Sequence, residues 1–427
     1  MKRILSWSIL IGFAVAQMAI IAPKFITSGS ETMYMAVVGP MTGPDAERGK
    51  AMVDGATLII DTLEKSGELG DRDIQLIIKD DKSDPQTAME HAAALAQDEQ
   101  VLAVLGHLSD EISRATAPIY AAGGLPIVSG SSGLPLVAAE NEWYFRVGLT
   151  TVQQGTFLAN YLARVMQEDT LQIITAQDEY SQSLTVAVED ELWFLKRLGT
   201  ARVEISKKWS FDAAAEGEHQ LDEIIDELSK TYTGGPLLVS VPSNNAADVI
   251  QRIRDNPRLR FGKPLPYKII GPDSLGRPEL LTSLSTLNRE TARPGYYTEG
   301  MLAVAPFLED VANQKALDFR EEFQTRHSQA PSVIAAGFHD AATVVAQAMM
   351  KLVANPDDVK AARAEIRDHL MKFDVPDKAV SGVTGGIYFD RDGNAIKTVP
   401  IGVYRDRRIV SPPTQLSAVR DIETKPV

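Results

Sequence analysis

Polar and charged side chains follow the ends of several predicted strands, and their types suit the binding of a small polar molecule. Asp110 and the run Ser129-Gly130-Ser131-Ser132-Gly133 come after apolar stretches in the first half of the chain, and Asp273 does so in the second half. The carboxyl ends of parallel strands share one edge of a sheet, where ligands of open α/β proteins bind. The residues expected to line a ligand site are Arg48, Asp110, Ser131, Ser132, Tyr180, Ser243 and Asp273.

Two of these features suggest which ligand groups are bound. The run Ser129-Gly130-Ser131-Ser132-Gly133 can turn backbone N–H groups and hydroxyls toward one point, which suits an anion such as a carboxylate. A plain Ser/Gly turn is the alternative. Asp273 follows Gly271-Pro272 and can accept charge-assisted hydrogen bonds from a cationic ligand group. Its alternative role is to stabilise its own turn.

The residues and spacings that enzymes use are missing from the sequence. The six histidines include no pair at i, i+2 or i, i+4, which disfavours a metal site built from neighbouring ligands. The first predicted strand is followed by Gly39 and Gly43, and this G-x-x-x-G pattern is neither a dinucleotide-binding nor a phosphate-binding loop. There is no G-x-S-x-G motif and no cysteine. We therefore expect no catalytic residue, no metal and no cofactor.

An acidic cluster at Asp80, Asp81 and Asp84 also lacks the ligand spacing and the glycine of a calcium-binding loop. We interpret it as a solvated strand-to-helix turn in which Asp84 caps the following helix.

The composition is that of a soluble globular protein with more than one domain. The chain has 427 residues, of which 44% are hydrophobic and 23% charged. At a typical length of ~150 residues per domain, the chain is expected to form two or three domains. The formal net charge of -14 repels phosphate backbones, so we expect no nucleic-acid partner.

The N-terminus predicts export from the cytoplasm. Lys2 and Arg3 precede an apolar stretch at residues 4–22, and Ala14-Val15-Ala16 offers small residues at the spacing that a signal peptidase reads. The apolar stretch is also long enough to be a retained membrane anchor. Both readings place the rest of the chain in the periplasm.

The elements that position the candidate residues alternate between apolar strands and amphipathic helices. Strands predicted at residues 33–38, 74–78, 101–105 and 125–128 are each followed by a turn and a helix, and a second set begins near residue 151. Continuous apolar strands that alternate with helices indicate a parallel sheet covered on both faces. Two successive sets of similar make-up predict two similar lobes. A hairpin turn is predicted at Asp392-Gly393, and a loose tail beyond residue 410.

At this point the residues resemble a known family, the type I periplasmic binding proteins, and within it the leucine/isoleucine/valine-binding group that serves ABC importers. The resemblance covers residues 33–410. The stretches that carry it are, in order, Gly39-Pro40-Met41-Thr42-Gly43-Pro44, Arg48-Gly49, Asp54-Gly55-Ala56, Asp80-Asp81, Asp84-Pro85, Gly106-His107-Leu108-Ser109, Pro126-Ile127-Val128-Ser129, Tyr144-Phe145-Arg146, Ile270-Gly271-Pro272, Glu299-Gly300-Met301 and Phe389-Asp390-Arg391-Asp392-Gly393.

The resemblance implies an α/β fold of two doubly wound parallel-sheet lobes joined by three crossover strands, with the ligand between the lobes and hinge closure as the working motion. The expected boundaries are 1–30 for a signal peptide or anchor, 31–148 with 274–352 for the N-terminal lobe, 149–273 with 353–410 for the C-terminal lobe, and 411–427 for the tail.

The resemblance also implies roles for individual residues. Amino-acid binders of this family hold the ligand carboxylate with a hydroxyl after the Gly-His-Leu strand end and with the Ser/Thr loop of the next strand, here Ser131 and Ser132. Asp110 stands at the first of these positions. Asp273 aligns with the acid that binds an α-amino group, and Tyr180 retains an aromatic of the second lobe.

Other positions depart from the family. Arg48 aligns with an aromatic that covers the ligand, and the next aromatic position falls near Ser243. A carboxylate at Asp110 would repel an α-carboxylate, and burying it unpaired is costly. Either Arg48 neutralises Asp110 across the cleft, or the ligand presents a donor there. A branched-chain amino acid is therefore one candidate beside a cationic, amide-like or other small polar solute.

The resemblance thus implies an extracytoplasmic solute-binding protein that closes on an amino acid, an amide or a related polar solute and delivers it to an ABC transporter permease. The alternative is a membrane-tethered ligand-sensing module that docks to a receptor or kinase partner. A retained N-terminal anchor would favour the sensor. Contact with a membrane is expected only through that segment.

Overall fold

The computed structural model describes residues 31–131, 133–134, 141–213, 218–232, 234–256, 267–308 and 313–416. The predicted signal or anchor at residues 1–30 lies outside these residues. Within the described ranges, no helix has the length and apolar character needed to cross a membrane.

Strands and helices alternate along most of the described chain, as the apolar pattern predicts. Along the chain the elements are β1 (Glu31–Gly39), α1 (Ala46–Ser66), β2 (Arg72–Asp80), α2 (Pro85–Gln97), β3 (Val101–Leu105), α3 (Asp110–Ala122), β4 (Ile127–Ser129), β5 (Tyr144–Arg146), α4 (Thr151–Asn160, continued by a π-helical turn at Tyr161–Val165), β6 (Thr170–Ala176), α5 (Glu179–Arg197), β7 (Glu204–Phe211), α6 (Glu218–Thr231), β8 (Pro236–Ser240), α7 (Ser243–Asp255), β9 (Lys268–Gly271), α8 (Pro278–Leu284), α9 (Asn288–Ala292), β10 (Leu302–Val304), α10 (Gln314–His327), α11 (Val333–Met349), α12 (Val359–Met371), a 3₁₀ turn (Pro376–Lys378), β11 (Val380–Gly382), β12 (Gly385–Phe389), β13 (Ala395–Ile396), β14 (Ile401–Arg405) and β15 (Arg408–Val410).

The first lobe is built on a parallel sheet of five strands in the order β2-β1-β3-β4-β5. Its β3 strand is buried at every residue, because helices cover both faces of the sheet. Helices α1, α11 and α12 contribute apolar side chains to one core with β1 and β3, and α10 packs on α1 and α11. The small antiparallel sheet β11-β12-β13 adds Ile387, Phe389 and Ala395 to the same core.

The second lobe is built on a sheet of seven strands in the order β15-β14-β10-β9-β8-β6-β7. The strands from β7 to β10 run parallel, and β14 and β15 are antiparallel additions at one edge. Helices α4 and α5 cover one face of this sheet, and α6, α7 and α8 cover the other. The architecture is therefore two doubly wound α/β lobes, as the sequence and the resemblance predict.

Three connections join the two lobes. The chain passes from the first sheet to the second at residues 147–150, returns between β10 and α10, and crosses again at residues 397–400. The three connections lie near one another, because residues from each of them line the same cleft. This arrangement of three crossovers is the one that the resemblance implies.

The sheets divide the chain at places other than those we expected. Residues 274–352 were expected in the first lobe, yet β10 hydrogen-bonds to β9 and β14 in the second sheet. Residues 353–410 were expected in the second lobe, yet α12 packs on the first-lobe core with β3. The reason is that strand pairing decides membership, and a chain pattern does not reveal pairing. We therefore propose lobe boundaries at the three connections.

Candidate functional site

A small cleft lies between the lobes where the three connections cross, with an empty volume of about 510 Å³ that includes open solvent. Each lobe and each connection contributes to its lining. The first lobe supplies Gly130, Ser131, Gly337 and Thr384, the connections supply Val147, Gly148, Leu149, Pro306, Lys397, Thr398 and Pro400, and the second lobe supplies Asp273 and Arg277. The lining is mixed in polarity, with few charged groups.

Ser131 stands in the loop after β4, at the carboxyl end of the first sheet. Its Oγ donates to the carbonyl oxygen of Leu108 at 2.8 Å and approaches that of His107 at 3.3 Å. The neighbouring Gly130 lies directly against the backbone of Gly337 in α11, where a Cβ on Gly337 would meet the Gly130 oxygen at 2.2 Å. The loop is therefore held from two sides. Ser132, predicted to act with Ser131, lies outside the described residues.

Asp110 is the first residue of α3, and Ser109 caps the helix by accepting from the Ile112 N–H. One carboxylate oxygen of Asp110 accepts from the backbone N–H groups of Gly133 and Leu134 at 2.9 and 3.0 Å. These N–H groups belong to the same loop that we expected to bind a ligand anion. In this structure they bind a carboxylate of the chain itself.

Asp273 follows β9 and stands at the centre of a hydrogen-bonded group in the second lobe. The Tyr180 hydroxyl donates to its Oδ1 at 2.6 Å, and Arg277 donates through Nη2 to its Oδ2 at 3.0 Å. The backbone N–H of Asp273 donates to Gln154 Oε1 at 2.9 Å. The Asp273 and Arg277 side chains are 13% and 18% exposed, so the pair is largely shielded from water.

The charges of this group follow from its contacts. Burial opposes ionisation of Asp273, but Arg277 and the hydrogen bonds from Tyr180 keep its pKa below the ordinary value. Burial works against the charged form of Arg277 as well, yet Asp273 holds its pKa above the ordinary value. Burial and the Asp273 charge raise the pKa of Tyr180 well above its usual range. At neutral pH the group is a carboxylate, a guanidinium and a neutral phenol.

Arg277 is a residue of the cleft that the sequence analysis missed. It lies four residues after Asp273 and immediately before α8, so the turn brings the two side chains together. Its Nε is buried and has no hydrogen-bond partner among the described residues. The signal in the sequence is the Asp-x-x-x-Arg spacing after a strand end, which matters only if the intervening turn is helical.

Four of the predicted residues that the structure describes are not part of the cleft lining. Asp110 and Tyr180 lie behind it, bonded to Gly133 and to Asp273. Arg48 and Ser243 have no such contact with the site. Arg48 lies in the first turn of α1 and pairs with Asp45 at 3.0 Å, so it does not neutralise Asp110. Ser243 is the exposed first residue of α7. Both residues follow strands as expected, but each belongs to a helix whose course turns the side chain elsewhere.

Lys397, in the third connection, is the other cation of the cleft lining. Its side chain is 5% exposed, and Nζ lies 3.5 Å from Oδ2 of the buried Asp340 in α11 and hydrogen-bonds to Thr384. Asp340 also accepts from the Val383 and Thr384 N–H groups at 2.7 and 3.0 Å. Burial raises the pKa of Asp340, but the Lys397 charge, His339 and the hydrogen bond from the Thr384 hydroxyl together lower it to about 2.

No group of three or more potential metal ligands from His, Cys, Asp and Glu occurs in the part of the chain that the structure describes. Asp84 caps α2 by accepting from the Thr87 N–H at 2.7 Å, as predicted. Asp81, expected to be solvated, is instead fully buried and bonded to His107 Nδ1 at 2.8 Å.

Comparison with known proteins identifies the kind of fold described above. The family profile described as periplasmic binding protein matches residues 32–201. A curated relative from Pseudomonas aeruginosa, the leucine-, isoleucine-, valine-, threonine-, and alanine-binding protein, is 24% identical over 402 residues, which are 91% of this chain and 94% of the relative. Over these residues the chain is similar to the periplasmic binding proteins.

Solved structures show that the chain has the type I fold of periplasmic binding proteins. A branched-chain amino acid transporter substrate binding protein from Streptococcus pneumoniae, in complex with isoleucine, superimposes with a TM-score of 0.70 at 20% identity, over 88% of this chain and 97% of that one. A solute binding protein from R. palustris in complex with benzoate gives a TM-score of 0.68 at 16% identity, over 89% and 95% of the two chains.

Proposed function

We propose that this chain is a periplasmic binding protein that captures a small polar solute between its lobes and delivers it to an ABC transporter. The observation that carries the proposal is the cleft itself. It lies where the three connections cross, and it is lined by Ser131 from one lobe and by Asp273 and Arg277 from the other. A solute held between these side chains contacts both lobes at once and so stabilises the closed form over the open one.

The similar proteins narrow the size and class of the solute. The Pseudomonas relative is named for five small amino acids, and the Streptococcus structure holds isoleucine. The R. palustris structure, of the same fold, holds benzoate, an aromatic acid without an amino group. We therefore propose an amino acid or a related polar solute of similar size.

The proposed place of action is outside the cytoplasm, and the proposed partner is an ABC permease that recognises the closed form. The apolar N-terminal stretch supports export as a signal peptide or as an anchor. Binding and release make and break no covalent bond, so the proposal requires no catalytic residue.

A screen of melting temperatures tests the proposal on the exported chain. The panel contains free amino acids, their amides, polyamines and small mono- and dicarboxylates that include benzoate. A ligand at 100 times its Kd stabilises the folded state by about 2.7 kcal/mol, which raises the melting temperature measurably. Small-angle scattering with the same ligand should show a smaller radius of gyration, because the lobes close.

Variants of the cleft then locate the binding. Asp273→Ala and Ser131→Ala should each weaken the ligand tenfold or more, whereas the exposed Ser243→Ala, outside the cleft, serves as the matched control. A panel that raises no melting temperature would sink the proposed function. Unchanged affinity in both cleft variants would show that the ligand binds at another place in the protein.

A further inference from the structure

The groups that would receive the two charges of a free amino acid are already paired within this chain. Asp273, at the position that the resemblance assigns to the α-amino group, is bonded to Arg277 and Tyr180. The loop N–H groups of Gly133 and Leu134, near the position assigned to the α-carboxylate, are bonded to Asp110. The chain thus supplies its own cation and its own anion at these two places.

A ligand ammonium at Asp273 would have to lie beside the Arg277 guanidinium. The two like charges would repel in a site that is largely shielded from water, where screening is weak. A ligand carboxylate at the Gly133 and Leu134 N–H groups would in the same way meet the Asp110 carboxylate. Both poles of a zwitterion are therefore disfavoured at the positions that an amino-acid binder uses.

Arg277 instead offers a binding group for an anion. Only Nη2 of its guanidinium bonds to Asp273, and the buried Nε has no partner among the described residues. A guanidinium presents its N–H donors in a planar fork that matches a carboxylate, and it remains charged at all physiological pH values.

The other charges of the cleft lining are compensated within the chain. The ionisable residues that line the cleft are Asp273, Arg277 and Lys397. Lys397 is paired with the buried Asp340, so the free N–H donors for a ligand anion are those of Arg277. Ser131 directs its hydroxyl proton to the Leu108 carbonyl, so its remaining lone pairs can accept from a neutral donor of the ligand.

We propose that the solute is a small carboxylate without a free α-amino group, and that its carboxylate binds Arg277. This inference rests on the proposed function and specifies the solute class. The acid is recognised from the second lobe, where amino-acid binders of the family recognise a cation.

Matched pairs of ligands test the inference on the unaltered protein. Leucine differs from 4-methylpentanoate, aspartate from succinate, and phenylalanine from 3-phenylpropanoate only by the α-amino group. Titration calorimetry should find at least one acid that binds ten times more tightly than its amino counterpart. The inference is overturned if no acid without an amino group binds, or if in every pair that binds the amino acid binds more tightly.

Variants of Arg277 test the contact. Arg277→Gln should weaken the acid tenfold or more, and Arg277→Lys, which keeps the positive charge, should weaken it less. The exposed Arg293→Gln is the matched control, and the melting temperature of each unliganded variant confirms that it folds. An acid whose affinity is unchanged in Arg277→Gln overturns the inference.

The double variant Asp110→Ser with Arg277→Ala tests whether these two charges are what disfavours a free amino acid. It removes the internal anion and cation, and it should bind leucine or isoleucine more tightly than the unaltered protein does.

These results separate the two proposals. If only a neutral or cationic solute binds in the cleft, this inference fails and solute capture stands. If nothing in the full panel binds or closes the lobes, the proposed function itself fails.

Discussion

Asp110 and Asp273 show that the partners of a carboxylate decide what it can still bind. Both acids stand at strand ends on the two sides of one cleft, yet their charges are compensated in different ways. Asp110 accepts backbone N–H groups of its own lobe, and Asp273 is paired with a guanidinium and a phenol. The first arrangement stabilises a loop. The second holds Arg277 in place as a donor to the cleft.

Removing the Asp110 carboxylate should destabilise the loop after β4. In Asp110→Ala the Gly133 and Leu134 N–H groups lose their acceptor, and hydrogen bonds to a charged group contribute about 1.5–3 kcal/mol. We expect the free energy of unfolding, measured by urea denaturation, to fall by about 1–3 kcal/mol. Asp110→Asn keeps an acceptor oxygen and should lose less. An alanine variant as stable as the unaltered protein would contradict this role.

The strand-end rule predicted part of the site and could not predict the rest. Ser131 and Asp273 line the cleft because the carboxyl ends of the strands of each sheet share an edge. Arg48 and Ser243 also follow strands, but the direction of a helical side chain depends on the phase of the helix. Arg277 could be found only from the turn that folds it back on Asp273.

Helix α11 is the element that positions the first-lobe wall of the cleft. Its Gly337 contacts the backbone of Gly130. A Cβ on Gly55 of α1 would lie 2.1 Å from the carbonyl oxygen of its Ala335. Such approaches need residues without a side chain on one partner. The loop that carries Ser131 is thus fixed by helix packing as well as by its own hydrogen bonds.

A side chain at Gly337 should disturb both the fold and the cleft. In Gly337→Ala the new Cβ meets the Gly130 oxygen at 2.2 Å, and overpacking of this kind costs about 1–3 kcal/mol. We expect a lower melting temperature and weaker ligand binding. Gly386→Ala is the control, because its Cβ meets Ala379 at an ordinary 3.6 Å. Equal melting temperatures for the two variants would show that the loop moves freely away from α11.

Asp340 connects α11 to the turn between β11 and β12 and to the third connection, and this link should depend on pH. Its pKa is lowered to about 2 from 3.8, so the folded state favours the carboxylate and the stabilisation is fully present above pH 3.8. It is lost as the pH falls through 2, which amounts to about 2 kcal/mol. Urea denaturation at several pH values should show this loss.

The Asp340→Asn variant should lack that part of the pH dependence between pH 4 and pH 2. The exposed Asp377→Asn should keep the profile of the unaltered protein. If the profiles of all three proteins have the same slope, Asp340 does not contribute in the way described.

Apolarity and caps made some elements predictable. All five residues of β3 were predicted, because an unbroken apolar run bounded by polar residues leaves little choice, and α3 begins where Ser109 caps it. By contrast β7 was missed, since this edge strand carries exposed Lys207 and Lys208 and shows no continuous apolar run. Helix α12 was also missed, because its buried face includes Arg363, which donates to five backbone carbonyls.

At the scale of the whole molecule, the lobes touch through side chains and loops as well as through the connections. Arg114 of α3 in the first lobe pairs with Glu179 of α5 in the second. Gly133 also lies close to the Tyr180 ring, where a Cβ would be in ordinary contact at 3.8 Å. A chain in which the lobes had opened would lose both contacts.

Reversing one charge of the Arg114–Glu179 pair should therefore weaken ligand binding without touching the cleft lining. Exposed ion pairs contribute about 0.2–1 kcal/mol. We expect Arg114→Glu to raise the Kd about two- to fivefold, because repulsion replaces attraction only in the closed form. The swap Arg114→Glu with Glu179→Arg should restore the affinity. If the swap binds no better than the single variant, the pair does not form in the closed form.

Because the Arg114–Glu179 pair is exposed, its strength depends on the ionic strength of the solution. Both side chains are about half exposed, so dissolved ions reach them, and at 0.1 M salt charges are screened over about 10 Å. Higher ionic strength therefore weakens this ion pair between the lobes, and ligand should dissociate faster. The residence time of a captured molecule would then follow the ionic strength of the surrounding medium, while the buried contacts of the cleft stay unchanged.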